Sequence, residues 1–280
     1  MQLSSFVHGI IVKRPSAVCK TPYVADICLD TTSDTLPLLG HCPALGCCGL
    51  SDKDARVILT PLVGGNTKCQ YRVELAVVEE RGRIQYVGIN PKLAEQLMYR
   101  MLETNTCPFL PIQSFGREKT FLNSRFDFAG TDLSGRSFVM EIKNVPLADY
   151  VDVPKKERKK YQTDHMEYDQ KIAYFPDGYR KNSTAVVSPR ALKHIEELET
   201  IARTTEIRAI LCFMVQRTDA AVFQPSNIDL TYKAAVQRAW EKGVELYAVQ
   251  IRWTPEGTSE FVRLLPIVLY EDHRCAPPPV

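Results

Sequence analysis

The sequence lacks any apolar run that approaches the roughly 20 residues needed to cross a bilayer. Its first residues also lack the basic stretch and apolar core of a secretory signal. An excess of one charge is missing too, because 35 lysines and arginines face 33 aspartates and glutamates in 280 residues. We therefore expect a soluble protein without a membrane partner. Only local clusters of charge can argue for a nucleic-acid partner.

Cofactor motifs are scarce as well. The sequence has no glycine-rich loop of the kind that cradles phosphate groups. Its nine cysteines are an odd number without an export signal, which predicts reduced thiols. The run H-C-P-A-L-G-C-C at residues 41–48 has the wrong spacing for a zinc finger, and no second pair of histidines or cysteines follows nearby. We therefore expect no metal in that run.

The most informative stretch covers residues 124–145, S-R-F-D-F-A-G-T-D-L-S-G-R-S-F-V-M-E-I-K-N-V. Phenylalanines alternate with polar residues in its first part, turn formers occupy residues 132–135, and an apolar run follows, which predicts a β-hairpin. Glu141 and Lys143 lie two residues apart and therefore share one face of their strand. The paired strand brings Asp127 alongside, so that two carboxylates and one ammonium meet at a single point.

Two interpretations of these three charged residues are open. Charged side chains on the solvent face of a strand are common and carry no chemistry. Residues 139–145 are rich in β-branched side chains, however, which is typical of an interior strand, where unpaired charges are costly unless they bind something. Carboxylate oxygens are the ligands that Mg²⁺ selects, and a neighbouring cation can position a water for attack on phosphorus.

Residues 9–89, within a predicted first domain at residues 1–89, contain no convincing amphipathic helix. Short β-like runs, separated by turn residues such as 31–34 and 64–66, predict a small β-barrel domain of the OB-fold type instead. The five predicted strands are residues 10–12, 24–29, 56–59, 71–78 and 84–87. Lys13 and Arg14 lie at the end of the first strand, where they either follow a phosphate backbone or protect a solvated edge strand.

The period of the sequence changes at residue 90. Asn90 supplies an N-cap and Pro91 a first helical residue, and apolar residues then recur at helical spacing. The elements predicted after the hairpin are a helix over 188–202, a strand over 207–215, a helix over 229–242, a strand over 244–252 and a strand over 258–269. This order predicts a second domain at residues 90–270, with a mixed sheet and helices on its faces. A disordered tail is expected at 271–280.

A polar segment at residues 149–172 interrupts this pattern. It contains the basic run P-K-K-E-R-K-K and almost nothing to bury. We expect a mobile surface insertion, which either touches a phosphate backbone or is a solvated loop.

The helix that follows this insertion is amphipathic. Leu192 and Ile195 belong to its predicted inward side, and His194 is expected on the outward side beside Lys193. That position favours a solvated or phosphate-facing histidine over a general base.

Chain order supports a resemblance to a known fold. A strand with Asp127, a hairpin, a strand with Glu141 and Lys143, and then a helix and a strand resemble the restriction-endonuclease-like fold, whose signature is written PD-(D/E)xK. Phe126 stands where that signature often has a proline.

A closer resemblance involves six short runs. S-R-F-D-F, E-I-K-N-V, F-P-D, K-H-I-E-E-L, F-M-V-Q-R and F-Q-P are similar, in the same order, to those of the sugar fermentation stimulation protein (SfsA) family. H-C-P-A-L-G resembles that family's H-C-P-N-T-G, with Ala44 and Leu45 in place of Asn-Thr. The likeness extends from about residue 9 to residue 250.

The resemblance implies an α+β protein in which an OB-fold-like N-terminal β-barrel precedes a restriction-endonuclease-like α/β domain with a mixed sheet. Members of the family are described as binding DNA and as associated with the regulation of sugar use. The resemblance also places residues 9–14 in the first strand, which leaves too little chain ahead for a cleavable presequence. We therefore expect the cytoplasm, although the acid-free residues 1–25 leave a mitochondrial presequence open.

The function implied by the resemblance is that of a nuclease, a phosphodiesterase dependent on Mg²⁺ or Mn²⁺. Asp127, Glu141 and the main-chain carbonyl of Ile142 are expected to hold the metal. Lys143 is expected to orient the attacking water and to stabilise charge in the transition state, and Gln216 to position that water or a ligand. The alternative is a non-catalytic DNA-binding regulator of sugar metabolism that keeps the nuclease fold.

Several basic residues are expected to contact DNA or RNA: Lys13, Arg14, Arg125, Lys193 and Arg217. The planar fork of Arg217 fits two phosphate oxygens, which favours a phosphate clamp at that position.

Three further acids each have two interpretations. Glu95 and Glu103 on the first helix either complete the acidic set or are ordinary surface residues. Asp177 in F-P-D-G either forms a turn or supports the site from behind. The sequence does not distinguish DNA from RNA, and it leaves the oligomeric state open, with a homodimer as one alternative.

Overall fold

The structure is a computed structural model that describes residues 1–30, 37–64, 68–178 and 185–270. The predicted tail at 271–280 lies outside the described residues, as do the turn at 31–34 and most of the turn at 64–66. Within the described ranges, no helix is both long enough and apolar enough to cross a membrane.

The N-terminal part of the chain forms one curled, mainly antiparallel sheet. Its strands are β1 (Val7–Lys13), β2 (Val24–Leu29), β3 (Leu38–His41), β4 (Arg56–Pro61), β5 (Tyr71–Glu80) and β6 (Arg83–Gly88). They are ordered β3-β2-β1-β4-β5-β6. β3 also meets β5 over two residue pairs, Gly40 with Tyr71 and His41 with Arg72. The predicted barrel is thus a sheet that curls around an apolar interior until β3 touches β5.

The position of β1 corrects one interpretation of its basic residues. β1 pairs with β2 on one side and β4 on the other, so Lys13 and Arg14 do not protect an edge strand. The edge beside β2 is occupied by β3. That strand escapes prediction because L-L-G-H is only four residues long and shows no alternation.

The described residues after β6 form nine strands. They are β7 (Ile112–Phe121), β8 (Ser124–Asp132), β9 (Ser137–Val145), β10 (Ala148–Asp149), β11 (Lys171–Phe175), β12 (Arg208–Val215), β13 (Ala220–Pro225), β14 (Glu245–Trp253) and β15 (Ser259–Leu264). Six of them form a sheet ordered β15-β14-β12-β9-β8-β7. β12 is parallel to β9 and to β14, whereas the other pairs are antiparallel, which confirms the predicted mixed sheet. The remaining strands form a small sheet ordered β10-β11-β13.

Three α-helices of the described chain accompany these sheets: α1 (Pro91–Glu103), α2 (Pro189–Thr204) and α3 (Leu230–Glu241). Each begins after a side chain that accepts a hydrogen bond from a backbone N–H of the first turn, namely Asn90, Ser188 and Asp229. These side chains satisfy donors that the helix leaves unpaired, so the three predicted N-caps are confirmed.

The six-stranded mixed sheet is covered on both faces. One face packs against α2 and α3 in an apolar cluster that includes Val139, Ile195 and Val236. The other face packs against α1 and part of the N-terminal sheet, in a cluster that includes Met140 and Leu97. A strand buried on both faces is the setting in which an inward-facing charge requires a partner or a ligand.

The segment 149–172 packs more closely than its composition predicts. Lys171 begins β11, is only 3% exposed and places its Nζ 2.7 Å from an oxygen of Asp219. Arg158, in a 3₁₀ turn, donates to Asp149 at 2.7 Å. The expectation of a segment with nothing to bury is therefore wrong at its C-terminal end, because a buried lysine there is satisfied by ion pairing.

Candidate active site

The side chains of β9 alternate between the two faces of the mixed sheet. Met140 and Ile142 belong to the apolar cluster on the α1 side. Val139 and Val145 belong to the cluster on the α2 side. Glu141, which shares that side by its period of two, contacts α2. The predicted alternation is confirmed, and it places Glu141 on a buried face.

Asp127 lies where β8 separates from β9. The pairing of these strands ends at Phe128 with Met140. One residue further, the Oδ2 atom of Asp127 accepts the N–H of Ile142 at 2.8 Å. Phe126 and Phe128 then pack on opposite faces of the sheet, so the alternation of β8 breaks at Asp127. The carboxylate replaces a main-chain acceptor at the point where the two strands diverge.

Three charged or polar side chains form a compact cluster on the α2 side. Lys143 Nζ lies 2.5 Å from Glu141 Oε1 and 3.4 Å from His194 Nδ1, and the same oxygen of Glu141 contacts His194 Nδ1. Burial favours the neutral acid, but the charge of Lys143 and the hydrogen bond from His194 together lower the pKa of Glu141 below its ordinary value. Glu141 is therefore ionised inside the protein.

The second oxygen of Glu141 differs from the first. Oε2 is buried and has no hydrogen-bond partner within the described part of the chain. An ionised oxygen without a donor is costly in a buried site. This atom is the strongest indication that the cluster is built to receive a group from outside.

The raised pKa of Asp127 also indicates that this acid would be stabilised by a positively charged partner. Burial, together with the neighbouring negative charge of Glu141, raises the pKa of Asp127 to about 7, against the lowering effect of the hydrogen bond from Ile142. Glu95 adds to the repulsion. Two carboxylates that disfavour each other's ionisation would both gain from a cation between them.

The cluster borders a cavity of about 330 Å³, which we call the first cavity. Its lining includes Asp127, Glu141, Ile142, Lys143, Asn144, Glu95, Tyr174, Asp177, Ser188 and Arg190. A second cavity of about 510 Å³ is lined by residues that include His41, Pro43, Lys92, Glu118 and Arg125. The two cavities share Pro91, Glu95, Asp127 and Arg190. Asp127 therefore lies between them.

The structure overturns the expected orientation of His194. This residue is 4% exposed and lies within the Glu141 cluster, rather than on the outer side of α2. The buried residues of α2 recur at Ala191, His194, Ile195, Leu198 and Ile201. The buried face of α2 is thus shifted by one position from the predicted inward face, which began at Leu192. Leu192 itself is only partly buried.

Gln216 and Arg217 are also placed differently from the prediction. Gln216 is fully buried, donating through Nε2 to Asn144 and accepting from the indole N–H of Trp253. Gln216 is not one of the residues that line the first cavity, whereas its partner Asn144 is. Arg217 is 4% exposed and gives its donors to Asp219 and to the carbonyl of Pro146. Its fork binds a carboxylate within the protein, so it is not available as a phosphate clamp.

The other predicted basic residues fall into two groups. Arg14 donates to the carbonyls of Pro22 and Ala44, which are both 2.7 Å away, and so braces the loop beside the first cavity. Lys13, Arg125 and Lys193 are exposed. Of these, Arg125 pairs with Glu118 at the second cavity, and Lys193 donates to the carbonyl of Asn123 at 2.7 Å.

The two glutamates of α1 are distinguished by the structure. Glu95 lines both cavities, whereas Glu103 lies outside both and pairs with Arg100 on the exposed side of the helix. Asp177 lines the first cavity. Sequence reasoning missed Asn144 and Arg190 altogether. The signal for Asn144 was its place directly after Glu-x-Lys, and the signal for Arg190 was a cation in the first turn of a helix.

The donor set suits a hard divalent cation. Among the described residues, no three histidine, cysteine, aspartate or glutamate side chains are grouped so as to hold a metal ion. The site instead offers two carboxylates, one of them with a buried unpaired oxygen. Mg²⁺ is commonly held by one or two carboxylates together with water and substrate oxygens, so these residues fit such an ion.

Comparison with known proteins gives concordant results. The model described as "Sugar fermentation stimulation protein RE domain" matches residues 92–257. A sugar fermentation stimulation protein homolog of Rhizobium rhizogenes is 28% identical over 222 residues, which cover 78% of this chain and 76% of the relative. The homolog of Desulforamulus reducens is 30% identical over 195 residues, which cover 69% of this chain and 67% of the relative.

A solved structure shows the same fold. It is described as Pyrococcus furiosus SfsA in complex with Ca²⁺, and it matches 96% of this chain and 98% of its own with a TM-score of 0.72 at 20% identity. The family model covers more than half of the chain and includes β8, β9, α2 and the residues of the cluster. The chain belongs to the sugar fermentation stimulation protein (SfsA) family.

Proposed function

We propose that this protein is a nuclease of the PD-(D/E)xK type, a phosphodiesterase that needs a divalent cation. The observation that carries the proposal is the buried Oε2 atom of Glu141, which has no partner among the described residues although the acid is ionised. Asp127 lines the same cavity, and its pKa of about 7 reflects burial and the repulsion of Glu141. A divalent cation would relieve both unfavourable features.

The ion we propose is Mg²⁺ or Mn²⁺, held by Asp127, Glu141 and the main-chain carbonyl of Ile142. The SfsA of Pyrococcus furiosus is described in complex with Ca²⁺, which supports a hard cation in this fold. When bound, such an ion supplies a Lewis acid that draws charge from a phosphoryl oxygen.

The residues of the chain itself account for the other requirements of phosphodiester hydrolysis. Lys143 presents a buried ammonium beside the carboxylates, where it can orient the attacking water and offset charge that develops on phosphorus. His194 contacts both Lys143 and Glu141 and thereby fixes the positions of these side chains. Asn144 is held by Gln216, which restrains the wall of the first cavity.

The second candidate is a non-catalytic DNA-binding regulator. One observation favours it. Oε1 of Glu141 is already paired with Lys143 at 2.5 Å and contacts His194, so one of the two carboxylate oxygens has partners within the protein. A protein that had lost activity could keep such an ion pair for stability alone. It would bind nucleic acid without cleaving it.

We further propose a division into an OB-fold-like domain at residues 1–89 and a nuclease domain at residues 90–270, which bind DNA or RNA together. The support lies in the second cavity, where His41 and Pro43 of the N-terminal part face Asp127 and Arg125 of the rest. A strand in this cavity would contact both parts of the chain.

A substrate panel tests the proposal. Purified protein is incubated with labelled single-stranded and double-stranded DNA and RNA, in the presence of Mg²⁺, Mn²⁺ or EDTA. We expect products with at least one substrate in the presence of a metal, none in EDTA, and none from Glu141→Ala, which should still bind.

The outcomes separate the two candidates. Binding without products on every substrate would leave the regulator and refute the nuclease. Products that persist in Glu141→Ala would show that the activity arises elsewhere in the preparation.

A further inference from the structure

Arg190 lies at the junction of the two cavities. It is one of the four residues that line both, together with Pro91, Glu95 and Asp127. Of the cationic residues that the structure places around either cavity, it is the one common to both. A strand that passed from the second cavity to the first would cross this point.

The guanidinium of Arg190 has no partner in the part of the chain that the structure describes. Its side chain is exposed and has no hydrogen bond or ion pair with any described residue. The other cations around the cavities are engaged, since Lys143 pairs with Glu141, Lys92 with Glu95, and Arg125 with Glu118. With respect to the described residues, Arg190 therefore keeps all five of its N–H donors for a ligand.

Its position in α2 argues against a role in helix stability. Arg190 is the second residue of the helix, whose first turn contains no acid. The N-terminus of a helix carries partial positive charge, so a cation there is disfavoured and an anion is favoured. Placing an unpaired arginine at this point costs stability, which indicates that its charge serves an interaction outside the helix.

Negatively charged side chains near Arg190 would oppose the approach of an anionic substrate. The residues that share the junction include Glu95 and Asp127, and both would repel a phosphodiester that approached Glu141. A free guanidinium at the same point offsets this repulsion, and its planar fork matches two oxygens of one phosphate.

We propose that Arg190 binds the non-bridging oxygens of a phosphate in the substrate strand and holds that strand across Asp127. The inference rests on the proposed function and adds to it a named substrate contact. Arg190 is a substrate-binding residue in this account and takes no part in the chemical step.

The test measures binding of a labelled single-stranded oligonucleotide at several salt concentrations in EDTA, where no cleavage occurs. We expect Arg190→Gln to bind about tenfold more weakly than wild type at low salt. The slope of log affinity against log salt should fall in magnitude by about 0.7, the value for one lost phosphate contact on a single strand. Arg190→Lys should restore the slope and only part of the affinity, because a lysine keeps the charge but loses the fork.

The matched control is Arg203→Gln, which removes an exposed arginine near the far end of the same helix, outside both cavities. It should leave affinity and slope unchanged. An Arg190→Gln variant that binds like wild type overturns the inference and leaves the proposed function standing. Equal losses in Arg190→Gln and Arg203→Gln also overturn it, because general basicity would then explain both. A wild-type protein that binds no oligonucleotide overturns this inference and the proposed function together.

Discussion

Two clusters of buried charge lie near the mixed sheet, and they differ in how completely their partners are supplied. One is centred on Asp219, between β12 and β13. Arg217 donates to both of its oxygens at 2.6 Å, and Lys171 adds a bond of 2.7 Å. Lys171 also pairs with Glu80, and Arg217 donates to the carbonyl of Pro146. Both oxygens of Asp219 are thus satisfied by cations of the chain itself.

The Glu141 cluster also combines buried acidic and basic side chains, but its carboxylate oxygens are only partly paired within the described structure. One oxygen of Glu141 meets Lys143 and His194, whereas the other has no partner in the described structure. Among the residues that the structure describes, no cation lies at hydrogen-bonding distance from Asp127 beside it, and its pKa is raised to about 7 by burial and by Glu141. This cluster also borders a cavity.

The pKa values of the two aspartates summarise the contrast. Burial opposes the ionisation of Asp219, but the bonds and charges of Arg217 and Lys171 overcome it, so the pKa of Asp219 is lowered. The pKa of Asp127 is raised. A buried acid whose counter-charges come from the chain is part of the structure, whereas one that lacks them is a candidate for function.

Removing the acid from the complete cluster should have the largest effect on stability. Asp219→Ala leaves Arg217 and Lys171 buried with one carboxylate fewer between them. We expect the free energy of unfolding to fall by about 3 to 5 kcal/mol, the cost of breaking a buried ion pair. Denaturant-induced unfolding measures this change.

The matched variant in the incomplete cluster is Asp127→Asn, whose amide oxygen can still accept the N–H of Ile142. It should change the unfolding free energy by less than about 1 kcal/mol, because no buried cation loses its only partner. Equal losses in the two variants would remove the distinction between the clusters.

Acid should weaken the complete cluster. The pKa of Asp219 is lower in the folded protein than in the unfolded chain, so its contribution to stability is present above about pH 4 and is lost as the pH falls through the folded value. Asp219→Asn cannot lose this contribution. We therefore expect the difference in unfolding free energy between wild type and Asp219→Asn to narrow below about pH 4. A difference that stayed constant from neutral to acid pH would contradict the assignment.

The last comparison concerns activity and involves the two glutamates of α1. Glu95 lines both cavities and raises the pKa of Asp127, whereas Glu103 pairs with Arg100 away from them. Glu95→Gln should lower the cleavage rate by about tenfold, as substitutions next to metal ligands commonly do. Glu103→Gln should not change it. Similar effects of the two substitutions would contradict the assignment of Glu95, but not Glu103, to the site.

The local part of this structure could be predicted from the sequence. Asn90, Ser188 and Asp229 cap their helices as expected, because capping depends on neighbouring backbone groups. The side shared by Glu141 and Lys143 follows from the period of a strand. Strands such as β7 and β13 were missed, since β7 is largely exposed and β13 is only six residues long.

Contacts between distant residues could not be predicted in the same way. The inward position of His194 depends on how α2 is rotated against the sheet, which Leu192 and Ile195 alone did not determine. The prediction for Arg217 failed because its partner, Asp219, is oriented by a turn and by Lys171 from a distant strand. Both errors concern the partner of a charge, and that partner is set by packing.

Calorimetric titration with Mn²⁺ tests the central claim most directly, that the Glu141 cluster binds a divalent metal ion and the Asp219 cluster does not. Wild-type protein and Glu141→Gln, compared at equal folded concentration, should differ at least about tenfold in affinity for the ion. Asp219→Asn should bind like wild type. An ion that binds wild type and Glu141→Gln with the same affinity, or that binds neither, would contradict this account of the site.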